Sequence, residues 1–375
     1  MRPARLLWFA TLWLVLLPMP ARAAPPAVSA DAAVLMDAAT GQVLYAKNAH
    51  QRRAPASTTK ILTALLALQR GGLAQPVRIP AEAARTPGSS MHLRAGQRFT
   101  LADLLEGLLL PSGNDASVAI ARAVGGSVPS FVREMNRTAR KLGALDSHFV
   151  NPSGLSAPTH YSTAYDLALI ARTALRDPRF AALVGSRQRR VRELGSRRER
   201  TLSNTNRLLW TFPGADGVKT GTTRAAGQCL VASATRQGWR LIAVVLHADQ
   251  RWSDAARLLD WGFATFVPVR AAPAGVPLTS VAVRGGAYGR VALIAVSPLD
   301  LVVPRREADR VRVRLVVPQK VRAPVLRGEP LGLAYLEVGG SLRQRVLLEA
   351  ARAVPRAGVL QLVLIWLERS AAFLA

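Results

Sequence analysis

The sequence predicts an α+β fold, with an antiparallel sheet packed by helices, then a small all-β domain, then a C-terminal amphipathic helix. Three observations carry this. Strand-like pattern near the N-terminus gives way to helices and returns as strands beyond Gly214, as in a sheet layered against helices. Past Pro268, Pro273 and Pro277 the helical pattern stops. The last stretch, "GVLQLVLIWLERSAAFLA", is apolar nearly all round.

Taken in order, "MRPARLLWFATLWLVLLPMPARA" has a basic start, an apolar middle and a small-residue Ala21-Arg22-Ala23 end. It reads as a secretory signal, residues 1–23, cut after Ala23, with an uncleaved anchor as the alternative. "AVLMDAATGQVLYAKN" reads as two strands turning at Gly41. Helical pattern begins near Ser57 and recurs in "TLADLLEGLLL", "DASVAIARAVGG", "SVPSFVREMNRTARKLGA" and "TAYDLALIARTAL". Thr100, three residues before Asp103, reads as a helix cap. The arginine-dominated "QRRVRELGSRRER", Gln188 to Arg200, reads as a solvated hairpin rather than a binding patch. "GVKTGTTRAAGQCLVASATR" and "RLIAVVLHA" are strands, and "SDAARLLDWGFATF" closes a first domain spanning 24–266.

Gly275 and the three prolines mark a linker. Residues 267–352 form the all-β module. "VRVRLVV" alternates Val311, Val313 and Leu315 with Arg312 and Arg314, as a half-buried strand does. Residues 353–375 form the terminal helix, with Gln361 and Glu368 on one polar stripe. It is short for a membrane span and reads as an interfacial anchor with Trp366 near the headgroups. A core helix of the β module is the alternative.

With 375 residues, half of them hydrophobic, the chain can bury a sizeable core in two domains. The formal charge of +27 is mostly arginine. On an exported chain it points to envelope polymers and lipid headgroups. Nucleic acid is not expected, since the basic stretch lacks interleaved aromatics. One cysteine, Cys229, excludes an internal disulfide and reads as a small buried hydrophobe. Five histidines show no H-E-x-x-H spacing, so neither metal nor cofactor is expected.

The chemistry starts from a conflict in "RRAPASTTKILTALLAL". The apolar run from Ile61 must be buried, yet its first turn carries Ser57 and Lys60. Residues three apart share a helix face, which sets the amine beside the hydroxyl. A serine needs a base to become a nucleophile. A lysine serves if burial and nearby positive charge lower its pKa. The helix N-terminus adds N–H groups where negative charge would form during acyl transfer. Alone, this spacing fits an ordinary cap and a surface charge. Ser112-Gly113-Asn114 between two helices and Lys219-Thr220-Gly221 on a strand, in this order, make the combination specific.

On these motifs the chain resembles the penicillin-recognising serine acyltransferases. It looks most like the low-molecular-mass penicillin-binding proteins, the serine-type D-alanyl-D-alanine carboxypeptidases of peptidase family S11. "APASTTK", "LLLPSGNDASVAIA", "HFVNPSGL", "STAYDLALIAR", "NTNRLLW", "GVKTGTTRAAGQCLVASA" and "LLDWGF" carry the resemblance along essentially the whole chain. It implies a penicillin-binding-protein/β-lactamase-like catalytic domain, stem peptides ending in D-Ala-D-Ala as substrate, and β-lactams as covalent inhibitors. It implies Ser57 as nucleophile, Lys60 as general base and Ser112 as proton relay. Asn114 would hydrogen-bond the substrate backbone. Lys219 and Thr220 would hold the terminal carboxylate region, with Lys219 also keeping Lys60 neutral. Gly221 would let a peptide lie flat along the strand, and the N–H groups of Ser57 and Thr222 would receive the oxyanion. Arg251 has the right neighbourhood for a substrate-side arginine in differently composed surroundings. A serine β-lactamase shares the three motifs, but no glutamate stands between Glu134 and Glu193, where a deacylating base would fall. A non-catalytic wall-binding module is disfavoured by the intact motif residues.

Overall fold

The computed structural model describes residues 24–358; the expected signal segment and the apolar tail from 359 onward lie outside the described residues. A five-stranded antiparallel sheet forms the centre. Its strands are β1 (Ala32–Asp37) and β2 (Val43–Lys47), then β5 (Ala215–Thr223), β6 (Gly227–Arg236) and β7 (Trp239–Ala248). β3 (Gln188–Arg192) and β4 (Glu199–Ser203) form a separate hairpin. The central order is β2-β1-β7-β6-β5, so β5 is an edge strand bonded only to β6.

Helices cover both faces, which is why β1, β6 and β7 read as continuous apolar runs rather than alternating ones. On one face Val34, Met36, Val231 and Val244 join a core with α1 (Lys60–Arg70), α2 (Leu101–Leu109), α3 (Asn114–Gly125), α4 (Val128–Lys141) and α5 (Ala164–Ala174). On the other, Leu35, Leu230 and Val245 pack on α6 (Arg251–Thr265) through Leu258, Leu259 and Phe263. Thr100 caps α2, its hydroxyl accepting from Asp103 N while the Asp103 carboxylate accepts from Thr100 N, a reciprocal capping box. Cys229 is fully buried, and burial pushes its thiol up to about 11.

Beyond α6 the chain passes directly into β8 (Phe266–Ala272), which pairs with β11 (Leu299–Pro304). The expected linker is therefore largely strand. Pro268 sits within β8, tolerated because that pair has only two strands and a missing N–H need break no ladder. The rest of the module is a six-stranded sheet. It comprises β9 (Pro277–Arg284), β10 (Arg290–Ala295), β12 (Val311–Val316), β13 (Lys320–Arg322), β14 (Pro330–Val338) and β15 (Ser341–Ala350). β12 lies at its edge, and Val313 is exposed rather than half-buried.

One expectation at the chain's end needs correction. Residues 353–358 are extended, not helical: Val354 bridges Val325 and is fully buried in the β core, and Arg356 bridges Gly286. The expected helix therefore does not include residues 353–358. Among the described residues no helix is long and apolar enough to cross a membrane. The module is seated on the central sheet by Gln42, whose Nε2 donates to Val302 O and whose Oε1 accepts from Val302 N.

Candidate active site

Ser57 lies in a 3₁₀ turn, Ala56–Thr59, that runs into α1. The turn begins with Ala56 in a left-handed conformation at φ +48°, sparsely populated for a residue with a Cβ. Two glycines allow other segments to press against it. A Cβ at Gly154 would lie 1.8 Å from Ala56 O, and one at Gly221 would lie 3.0 Å from Pro55 O and 3.1 Å from Ser57 N. Gly221 thus lets β5 approach the serine turn, a different reason from the flat-lying peptide expected of it.

Lys60, fully buried at the start of α1, places Nζ 2.7 Å from each of three oxygens: Ser57 Oγ, Asn114 Oδ1 and Ser153 O. As an ammonium it donates to all three. Burial is the largest influence on its pKa and the charge of Lys219 adds to it; together they pull the amine well below its ordinary value, against the opposing pull of Asp115. A neutral amine keeps two N–H bonds. With Asn114 and Ser153 accepting those, its lone pair is left facing the Ser57 hydroxyl, which is the geometry of a general base.

Asn114 opens α3, and its Nδ2 donates one N–H to Pro87 O at 2.7 Å, which leaves the second for a further acceptor. Besides the substrate contact expected of it, its Oδ1 orients Lys60. The neighbouring Asp115 carboxylate accepts from Ser90 Oγ, Met91 N and Leu93 N and pins the 87–93 loop over Asn114. Ser112, at φ +68°, presents a buried hydroxyl with no hydrogen-bond partner among the described residues.

On β5, Lys219 is buried and its Nζ has no hydrogen-bond partner among the described residues. Burial, with Arg251 near, lowers it to about 7. Thr220 Oγ1 is 2.7 Å from Thr205 Oγ1. Arg251, whose relation to the site the sequence left unsettled, reaches this strand: Nη1 donates to Gly221 O (3.0 Å) and to Thr222 Oγ1 (2.7 Å). Its buried Nε has no partner among the described residues. Two unpaired donors beside one strand, Lys219 Nζ and Arg251 Nε, are what an anionic ligand would satisfy.

The sequence reading assigned no role to the "NPSGL" loop. Asn151 Oδ1 accepts from Ser153 N, Ser153 Oγ and Gly154 N, and this turn aims Ser153 O at Lys60. His160 was also unassigned. Its Nδ1 accepts from Val150 N, so the neutral ring carries its proton on Nε2 and donates to Thr59 Oγ1 at 2.9 Å. Burial holds that imidazole down to about 4. Among the described residues no carboxylate is hydrogen-bonded to Ser57 or Lys60. Glu134 pairs with Arg137, and Glu193 accepts from Gln97 Nε2. Among the described residues no cluster could hold a metal ion.

A serine hydroxyl against a buried, pKa-lowered lysine, roofed by an edge strand, is the constellation of serine acyl-transfer enzymes that use lysine where others use histidine. Comparison with known proteins narrows the class. Residues 19–250 match the family model described as D-alanyl-D-alanine carboxypeptidase, and residues 266–356 match the C-terminal domain of penicillin-binding protein 5. The chain is 35% identical to D-alanyl-D-alanine carboxypeptidase DacF of Bacillus subtilis, over 88% of this chain and 87% of that one. It is 36% identical to DacC of Escherichia coli, over 86% and 84%. Among solved structures, penicillin-binding protein 5 of Haemophilus influenzae superposes with a TM-score of 0.80 at 32% identity, covering 89% of this chain and 99% of that one. The Streptomyces K15 DD-transpeptidase superposes at 0.62 with 36% identity, covering 64% and 99%. The chain belongs to the D-alanyl-D-alanine carboxypeptidase family, peptidase S11.

Proposed function

We propose that this chain is an exported serine D-alanyl-D-alanine carboxypeptidase that trims the terminal D-Ala from peptidoglycan stem peptides. The observation that carries the reading is the Lys60 amine, held 2.7 Å from Ser57 Oγ by two other acceptors. Ser57 Oγ attacks the carbonyl carbon of the penultimate D-Ala while its proton passes to neutral Lys60. The oxyanion is received by the N–H groups of Ser57 and Thr222. The C–N bond then breaks, the proton travels from Lys60 by way of Ser112 to the departing amine, and an ester remains on Ser57. Water cleaves that ester and restores the serine.

Lys219, Thr220 and Arg251 form the subsite for the terminal carboxylate, and Lys219 also keeps Lys60 uncharged. Asn114 positions Lys60 through Oδ1 and offers its second Nδ2 N–H to the substrate backbone. A β-lactam follows the same first step, but its leaving amine stays tethered, so the ester persists and the drug inhibits. No cofactor takes part.

The domains divide at 266, with residues 24–266 catalytic and 267–352 a spacer that lifts the site from the membrane. The signal at 1–23 directs export, and the segment beyond residue 358 rests on the membrane surface. The test is incubation of the purified protein with penicillin followed by peptide mass spectrometry. The adduct is expected on Ser57, and Ser57→Ala is expected to lose both adduct and D-Ala release while keeping its thermal transition. An adduct elsewhere, or release that survives in the variant, refutes the assignment.

A further inference from the structure

The two arginines that precede the serine turn are not used by the chemistry above. They line a cavity of about 600 Å³ together with Ser156, Pro158, Tyr161 and Ala225. The cavity adjoins the site at the far end of β5. Ser156 Oγ donates to Thr223 Oγ1 at 2.8 Å, and His160, also in the wall, bonds Thr59 beside Lys60.

Direction follows from the carboxypeptidase reading, on which this inference rests. With the substrate's terminal carboxylate toward Lys219 and Thr220, a peptide extended along β5 carries its upstream residues past Thr222. At about 3.3 Å per residue, the residue before D-Ala-D-Ala comes level with Thr223, at the cavity mouth.

The wall chemistry selects what enters. Proline, alanine and tyrosine surfaces suit an aliphatic stem. Arg52 and Arg53 supply positive charge, and no carboxylate lines the cavity. Arg52 uses Nη2 on Asp146 (2.9 Å) and lies over the Tyr161 ring at 4.9 Å. Arg53 pairs with Asp31 at 3.3 Å, while its buried Nε has no acceptor. A guanidinium has five donors, so both retain capacity for a further anion. His160 is held neutral by burial and adds no charge to the wall.

We propose that this cavity is a specificity subsite for the stem-peptide residue preceding D-Ala-D-Ala, and that it selects a long aliphatic side chain ending in a carboxylate over one ending in an amine.

The test uses three N-acetylated tripeptides X-D-Ala-D-Ala with the full chain, X being L-aminosuberate (carboxylate end), L-norleucine (neutral) or L-lysine (amine end). The expected order of kcat/KM is aminosuberate, norleucine, lysine, with the first about tenfold above the second, as charge-assisted hydrogen bonds at a partly exposed site allow. Arg52→Ala and Arg53→Gln should each bring the aminosuberate-to-norleucine ratio toward one, and Arg52→Lys should retain part of it. Penicillin labelling of Ser57 reports whether each variant is folded, and a variant that fails to label is replaced by the other for the comparison. Equal rates for aminosuberate and norleucine in the wild type overturn the proposal and leave the carboxypeptidase reading intact. A ratio unchanged in both folded arginine variants also overturns it. Release of D-Ala from none of the three peptides overturns both readings.

Discussion

Asn114 Oδ1 accepts from Lys60 Nζ at 2.7 Å while Asn114 Nδ2 donates to Pro87 O. The amide is thereby a bracket between the base and the 87–93 loop. Removing it leaves Lys60 with Ser57 and Ser153 alone, free to swing off the line to the serine hydroxyl. A base misplaced by about 1 Å loses on the order of a hundredfold in rate. Asn114→Ala is therefore expected to slow penicillin acylation of Ser57 about a hundredfold, measured by stopped-flow with a chromogenic β-lactam. A rate within a few-fold of wild type would remove Asn114 from the positioning of Lys60.

Lys219 connects pH to both stability and activity. Its folded pKa is about 7, whereas the unfolded chain holds a lysine near about 10.4. Between these values the unfolded state binds a proton that the folded state lacks, so stability rises with pH across that window. Below it the folded protein carries the whole penalty of a charged buried amine, and above it none. Lys219→Met should be more stable than wild type at about pH 6, with a margin that shrinks as pH rises toward about 10. Urea unfolding at several pH values measures this, and a pH-independent margin contradicts a low pKa for Lys219. The same variant loses the charge that helps to lower Lys60. Lys60 then stays protonated to higher pH, and the acid limb of Ser57 acylation should move upward.

What the sequence disclosed depends on which atoms act. Ser57 and Lys60 were legible because two side chains three apart on a helix need no tertiary knowledge to be set together. The central strands were legible because burial on both faces leaves unbroken apolar runs. Ser153 was not, since its contribution is a backbone carbonyl that any residue type could supply. Asn114 was found as a position but not as a partner of Lys60, because the contact joins the first turns of α1 and α3, far apart in the chain. Gly221 was seen as a bare strand position, and only the fold reveals that the missing side chain faces Ser57 N. Val354 was read as helix because an apolar residue beside a longer apolar run carries no sign that it bridges Val325.

Gly154 tests the packing that seats the serine turn. Its φ is +88°, and an added Cβ would fall 1.8 Å from Ala56 O, a backbone atom that cannot turn aside. Gly154→Ala should lose about 3 kcal/mol or more of stability, from strain and overpacking together. Gly221→Ala meets its neighbours at 3.0 Å and without positive φ, so it should cost about 1 kcal/mol while still slowing acylation, because β5 must back away from Ser57. Chemical denaturation paired with penicillin labelling separates the two. Equal stability losses would show that the close approach of Gly154 to Ala56 relaxes.

The segment beyond residue 358 can be separated from the rest without disturbing it. Val354 and Arg356 bridge Val325 and Gly286, and Ala357 N donates to Gly285 O, so a chain ending at Ala357 keeps every one of these ties. An interfacial helix holds a membrane through buried apolar area, helped by basic charge near anionic headgroups. Deleting 358–375 should therefore release the protein from anionic vesicles while D-Ala release from a soluble peptide persists. Co-sedimentation at low and high salt distinguishes the sources of binding. If the shortened chain still sediments at high salt, apolar contact comes from elsewhere and the anchor proposal fails. If it sediments only at low salt, the arginine-rich surface adds an electrostatic component that screening removes.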